Sequence, residues 1–171
     1  MKIILFRHAI AEERLVWARQ SRDENARPLT ELGIAKLHQA CKGFKSLVDH
    51  VDAIVSSSLV RAQQTAEILF EYYPEAELGE DPDLEPGGDI DSLVERLAES
   101  NEDAVIILVG HEPDLSTLLG SLLCGSEFSV AKLKKASAAC VEFSIENGKI
   151  YTSLLWLLPP AVLRALGGEQ E

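Results

Sequence analysis

Residues 104–109 are apolar at every position and run directly into Gly110, His111, Glu112 and Pro113. A strand with one wet face alternates apolar and polar residues. An unbroken apolar run bounded by turn residues reads as a strand covered on both faces, as in a parallel sheet. Such a sheet needs crossover connections and helices on each side, so this segment points to an α/β architecture. Residues 3–6 repeat the pattern near the N-terminus and end at Arg7 and His8. A third short run, residues 53–55, leads into Ser56, Ser57 and Ser58, whose hydroxyls suit a turn and an N-cap.

The connecting segments fit this frame. Thr30, behind Pro28 and Leu29, is a candidate helix N-cap. Ile34, Leu37, Cys41, Phe44, Leu47 and Val48 then recur at helical spacing and predict one buried face. Further helices are expected over residues 59–72, ending before Pro74, over residues 90–97 and over residues 115–123. Residues 12–27 are charged without a clean stripe and read as a loop with some helix. Residues 82–88 are rich in turn formers. Residues 138–145 alternate, Asn147 and Gly148 form a hairpin turn signal, and residues 150–158 read as the returning strand. The tail after Pro159 and Pro160 has room for one more short helix. The expected fold is a three-layer α/β sandwich with a mainly parallel central sheet, an antiparallel edge and helices on both faces. The length of 171 residues suits a single domain over residues 1–171.

Composition narrows the functional classes. Hydrophobic residues are 46% and charged residues 26%, values of a soluble globular chain. A net charge of -12 argues against nucleic acid as a general partner but leaves room for an anion in a cleft lined by arginine. It also hints at a basic face on a protein partner. The cysteines Cys41, Cys124 and Cys140 are far apart and form no C-x-x-C, so free thiols on apolar faces and a reducing compartment are expected. The N-terminal apolar run is too short for a signal peptide, and no stretch approaches the roughly 18 apolar residues of a membrane span. A cytoplasmic location without membrane contact follows as an expectation.

In open parallel sheets, ligands bind beyond the carboxyl ends of the strands. Arg7 and His8 follow the first strand, Ser56 to Arg61 follow the second, and His111 follows the 104–109 strand. Arginine forks match phosphoryl oxygens, and a neutral imidazole is a nucleophile near pH 7 if one ring nitrogen is anchored with its proton. A backbone carbonyl after strand one is the expected anchor for His8. Taken singly, each residue also has a plain reading: a surface Arg-His pair, a solvated helix arginine at Arg61, a helix-capping turn at His111.

The ordered segments Leu5-Phe6-Arg7-His8-Ala9, Arg27-Pro28-Leu29-Thr30-Glu31-Leu32-Gly33, Ser56 to Thr65, Leu84 to Asp89 and Val109-Gly110-His111-Glu112-Pro113 resemble the histidine phosphatase superfamily. Within it they resemble most the small SixA-like phosphohistidine phosphatases. The resemblance implies His8 as nucleophile and Arg7, Arg61 and His111 as ligands of the phosphoryl oxygens. Arg27 matches the arginine before Pro-Leu-Thr and is either a pocket residue or a surface charge at the helix entry. The implied substrate is a phosphorylated histidine-containing protein, with phosphate or its analogues able to occupy the pocket and with no cofactor or metal. The superfamily usually has glycine after the histidine, where this chain has Ala9. A general acid, needed for alkyl esters, has three candidates in Glu12, Glu85 and Asp89. Glu85 is also a candidate substrate contact, although Glu85 and Asp89 read equally as turn or cap residues. The alternatives are a small-molecule phosphomonoester phosphatase and a non-catalytic phosphate-binding module.

Overall fold

The computed structural model describes all residues except 22, 127, 148 and 169–171. The chain runs β1 (Lys2–Arg7), α1 (Arg14–Gln20), α2 (Glu31–Leu47), β2 (Ala53–Ser56), α3 (Val60–Tyr72), β3 (Glu77–Glu80), a 3-10 turn (Pro82–Leu84), α4 (Ile90–Ala98), β4 (Val105–Gly110), α5 (Asp114–Cys124), β5 (Ala138–Glu146), β6 (Lys149–Leu158) and α6 (Pro160–Leu166). The strands form one sheet in the order β3-β2-β4-β1-β5-β6. Pairings β1–β4, β2–β4 and β2–β3 are parallel, whereas β1–β5 and β5–β6 are antiparallel. This is the expected α/β sandwich with a mainly parallel centre and an antiparallel edge.

The central strands are dry on both sides because their side chains alternate between two cores. Ile3, Ile4, Leu5 and Phe6 all have zero exposure. Ile4 and Phe6 pack with Leu37, Phe44 and Leu69 of α2 and α3, and Phe6 meets Phe44 edge-on at 5.8 Å. Ile3 and Leu5 pack on the opposite face with Leu93 of α4 and Leu118 of α5. The parallel register sets Arg7 level with Gly110, and Ser56 level with Val109. The chain therefore leaves β1, β2 and β4 at one height, with His8 and His111 as the next residues on adjacent strands.

Helix α2 begins as expected, with Thr30 Oγ1 accepting from the Gly33 N–H at 2.9 Å. Glycine is required twice along this helix by close approach. A Cβ on Gly33 would lie 2.1 Å from the Ile10 carbonyl, and one on Gly43 would lie 1.8 Å from the Leu163 carbonyl of α6.

Some expectations change. Leu47 is exposed rather than part of the buried stripe, because α2 ends there. Helix α3 has Leu59 as N-cap with no side-chain bond, so the serines do not cap it. Strand β3 had no signal in the sequence, since all four residues of this sheet-edge strand are exposed. Cys41 and Cys140 are buried free thiols, but Cys124 is exposed at the end of α5. At the hairpin, Asn147 adopts the left-handed φ of 52° that such turns favour, while Gly148 lies outside the described residues. No helix among the described residues is long and apolar enough to cross a membrane.

Candidate active site

The strand ends place four predicted residues, Arg7, His8, Arg61 and His111, around one cavity. The His8 N–H donates to the Gly110 carbonyl at 3.1 Å, which ties the two loops together. The two imidazole rings lie 5.1 Å apart between centroids, tilted by 50°. Arg61 enters from the first turn of α3, and its Nη1 donates to the Glu24 carbonyl at 3.1 Å. Arg27 lines the same cavity and is buried, with Nη1 donating to the Glu12 carbonyl at 2.6 Å.

His8 is held by its own loop. Its Nδ1 is 2.7 Å from the Ala9 carbonyl oxygen. A carbonyl can only accept, so the bond puts the ring proton on Nδ1 and leaves a lone pair on Nε2. The anchor is the backbone carbonyl that the sequence called for. Ala9 is fixed in turn: its N–H donates to Thr65 Oγ1 at 3.1 Å, and Thr65 donates to the Arg61 carbonyl at 2.7 Å. Among the described residues, the non-glycine positions at positive φ are Ala136 and Asn147, so Ala9 stands where glycine is usual without left-handed strain.

His111 is oriented by Ser57, whose Oγ lies 2.6 Å from Nε2 and also accepts the Leu59 N–H at 3.4 Å. A hydroxyl that already accepts can give its proton to Nε2, which leaves the ring proton on Nδ1. Burial is the main cause of the low pKa of both rings, at about 2 for His8 and about 3 for His111. The neighbouring Arg7 and Arg61 charges add to it, so both rings are neutral over the physiological range. Burial likewise brings the Arg61 guanidinium down to about 10, assisted by Arg27. Among the described residues, buried Arg7 Nε, Arg61 Nε and His111 Nδ1 have no hydrogen-bond partner.

Two carboxylates line the cavity, and neither was singled out from sequence. Glu24 Oε1 accepts from Arg27 Nε at 2.9 Å and Nη2 at 2.8 Å, and it lies 3.5 Å from Arg14 Nε and 3.8 Å from Arg61 Nη1. Burial alone would raise its pKa, but the Arg27 hydrogen bonds and the Arg27, Arg14 and Arg61 charges outweigh it and hold Glu24 ionised. Glu112 accepts from Ser116 Oγ at 2.8 and 2.6 Å and from the Leu133 N–H at 2.9 Å. It follows His111 and precedes a cis proline bond.

The candidate acids lie elsewhere. Glu85 Oε1 accepts from Ser58 Oγ at 2.6 Å, and it is the next residue, Pro86, that lines the cavity. Asp89 caps α4 by accepting from the Ser92 N–H at 3.0 Å. Glu12 contributes its main-chain carbonyl to Arg27. Arg14, Glu24 and Lys135 complete the wall and were missed. Arg14 and Glu24 lie in the charged segment without periodicity, so no sequence signal marked them. Lys135 belongs to the basic run Lys132-Leu133-Lys134-Lys135, which was a usable signal.

Comparison with known proteins agrees with this fold. The profile described as the histidine phosphatase superfamily (branch 1) matches residues 3–85. An uncharacterized protein of Picosynechococcus sp. (strain PCC 7002) is 34% identical over 173 residues, covering 93% of this chain and all of that protein. The protein histidine phosphatase SixA, solved with tungstate, superposes with a TM-score of 0.79 at 20% identity, over 95% of this chain and 99% of that one. A mycobacterial glucosyl-3-phosphoglycerate phosphatase solved with VO3 gives a TM-score of 0.66 at 19% identity, over 91% of this chain and 97% of that one. With its arginines and histidines gathered at the strand ends of this fold, the chain belongs to the histidine phosphatase superfamily.

Proposed function

We propose that this chain is a protein phosphohistidine phosphatase that works through a covalent phosphohistidine on His8. The observation that carries the reading is the 2.7 Å contact from Nδ1 to the Ala9 carbonyl, which leaves Nε2 as the nucleophile in a cavity walled by arginine. Arg7, Arg61 and His111 bind the three peripheral oxygens of the phosphoryl group, and Arg27 adds charge behind them. Nε2 attacks phosphorus in line. The substrate P–N bond breaks, its electron pair goes to the departing imidazole nitrogen, and that nitrogen takes a proton from solvent. Water then attacks phosphorus, the P–Nε2 bond breaks with its pair returning to His8, and phosphate leaves.

The leaving group decides between substrates. An alkoxide needs a proton from a placed carboxylic acid, whereas imidazole departs readily. The cavity carboxylates do not fit the acid role. Glu24 is ionised on Arg27, and Glu112 is occupied by Ser116 and the Leu133 N–H. The fold shared with the SixA structure that binds tungstate supports the same substrate class.

The test is phosphate release from a phosphohistidine protein beside an alkyl phosphate ester. Turnover of the phosphohistidine should fall at least about 1,000-fold in His8→Ala, with little ester activity in the wild type. Strong ester turnover would assign a small-molecule phosphatase instead. Binding without turnover of either would assign a phosphate-binding module, and activity surviving in His8→Ala would remove the covalent step.

A further inference from the structure

We propose that Lys135 is a further phosphoanion-binding residue, placed by a clamped turn to contact a peripheral oxygen of the phosphoryl group. The inference rests on reading the cavity as a phosphoryl site, and it does not depend on phosphohistidine being the substrate.

Lys135 lines the same cavity as Arg7 and His8, on the loop that enters β5. The residues on either side of it are pinned to the strand that carries the nucleophile. Arg7 Nη1 donates to the Leu133 carbonyl at 2.8 Å, and the Leu133 N–H donates to Glu112 at 2.9 Å. The Ala136 N–H is shared between the Arg7 and His8 carbonyls at 3.1 and 3.2 Å. The Arg7 N–H donates to the Ser137 carbonyl at 3.1 Å, and Ser137 Oγ closes the turn on the Lys134 carbonyl at 2.6 Å.

Ala136 sits at φ 58°, in the left-handed region that alanine avoids. Such strain persists where surrounding contacts over-determine the backbone, and it clusters at functional sites. Here it turns the chain so that Lys135 reaches the cavity while Lys132 and Lys134 stay exposed.

The ammonium makes no hydrogen bond or ion pair among the described residues, in contrast to Lys45, which donates to the Asp49 carbonyl at 2.7 Å. Burial lowers the Lys135 pKa, the Arg7 and Arg27 charges lower it further, and the Glu13 carboxylate offsets part of this. A half-buried ammonium with no direct hydrogen-bond or ion-pair partner among the described residues, set beside guanidinium groups, gains when an anion enters the cavity. Lysine also differs from arginine in kind, because its compact charge and rotating donors reach oxygen lone pairs that the planar forks leave free.

The measurement is calorimetric titration with inorganic phosphate and with tungstate, on wild type, Lys135→Gln, Lys135→Arg and Lys134→Gln. Lys135→Gln should weaken both anions roughly 10-fold or more, Lys135→Arg should regain most of that, and Lys134→Gln should stay within about twofold. Melting curves verify that each variant is folded. If Lys135→Gln destabilises the fold, the ratio of Lys135→Arg to wild type decides, since a purely structural role predicts no recovery by a second cation. Wild-type affinity in folded Lys135→Gln overturns the proposal. A wild type that binds phosphate yet releases none from phosphohistidine overturns the substrate reading and leaves Lys135 standing. A wild type that binds neither anion overturns both.

Discussion

Glu24 is the cavity carboxylate that meets the arginines, and it works through two separate atoms. Its carboxylate holds Arg27, while its main-chain carbonyl holds Arg61. Replacing only the side chain separates these effects. Glu24→Gln should lower kcat roughly 10-fold, because Arg27 loses its charge-assisted fork. It should leave product inhibition by phosphate no weaker, because the cavity becomes more positive. Steady-state kinetics with added phosphate measures both, and a rise in the phosphate inhibition constant equal to the loss in kcat would contradict this role. At this scale much of the candidate site was legible in the sequence. Arg7, His8 and His111 were legible because each directly follows an apolar run, and Arg61 because it opens a helix after one. Glu24 and Lys135 were not, since their loops carry no period and their roles arise only when tertiary contacts bring distant segments together.

Helix α2 connects the site to the rest of the fold through its two glycines. The Ile10 carbonyl that crowds Gly33 also accepts the Thr30 N–H at 3.0 Å, and it lies beside Ala9, the anchor of His8. Gly43 lies about 15 Å further along the helix, against α6. Alanine at either position should lower the melting temperature by roughly 5 °C, as overpacking costs in a chain of this size. Gly33→Ala should also reduce turnover severalfold, whereas Gly43→Ala should leave kcat near wild type. Equal losses of activity would show that the two ends of the helix are coupled. The elements themselves followed from pattern wherever one face was buried. α2 and α4 have caps and stripes, and β1 and β4 have unbroken apolar runs. β3 escaped because a fully exposed edge strand has no burial to imprint on its sequence. The serine turn before α3 was misassigned as a cap because Ser57 is committed to His111 instead.

Acid should loosen the whole molecule through its two buried imidazoles. Both are neutral when folded, with pKa values of about 2 and about 3, and both return to about 6.5 in the unfolded chain. Between those values the unfolded state binds more protons, so stability rises with pH up to about 6.5 and is then constant from this source. Each histidine should cost up to about 1.4 kcal/mol per pH unit below that point. Melting curves at pH 7 and pH 5 test this, and the double variant His8→Asn, His111→Asn should flatten the slope. For the same reason kcat/KM should show no limb near pH 6.5. The sheet order has a consequence for the timing of synthesis. Strand β4 lies between β1 and β2 although it comes after both in the chain. A nascent chain that has emerged through α4 already carries Arg7, His8, Arg27 and Arg61, yet it lacks the strand that aligns them. Phosphatase activity should therefore begin only once β4, at Val105–Gly110, has left the ribosome, and a chain that ends before this strand should be inert.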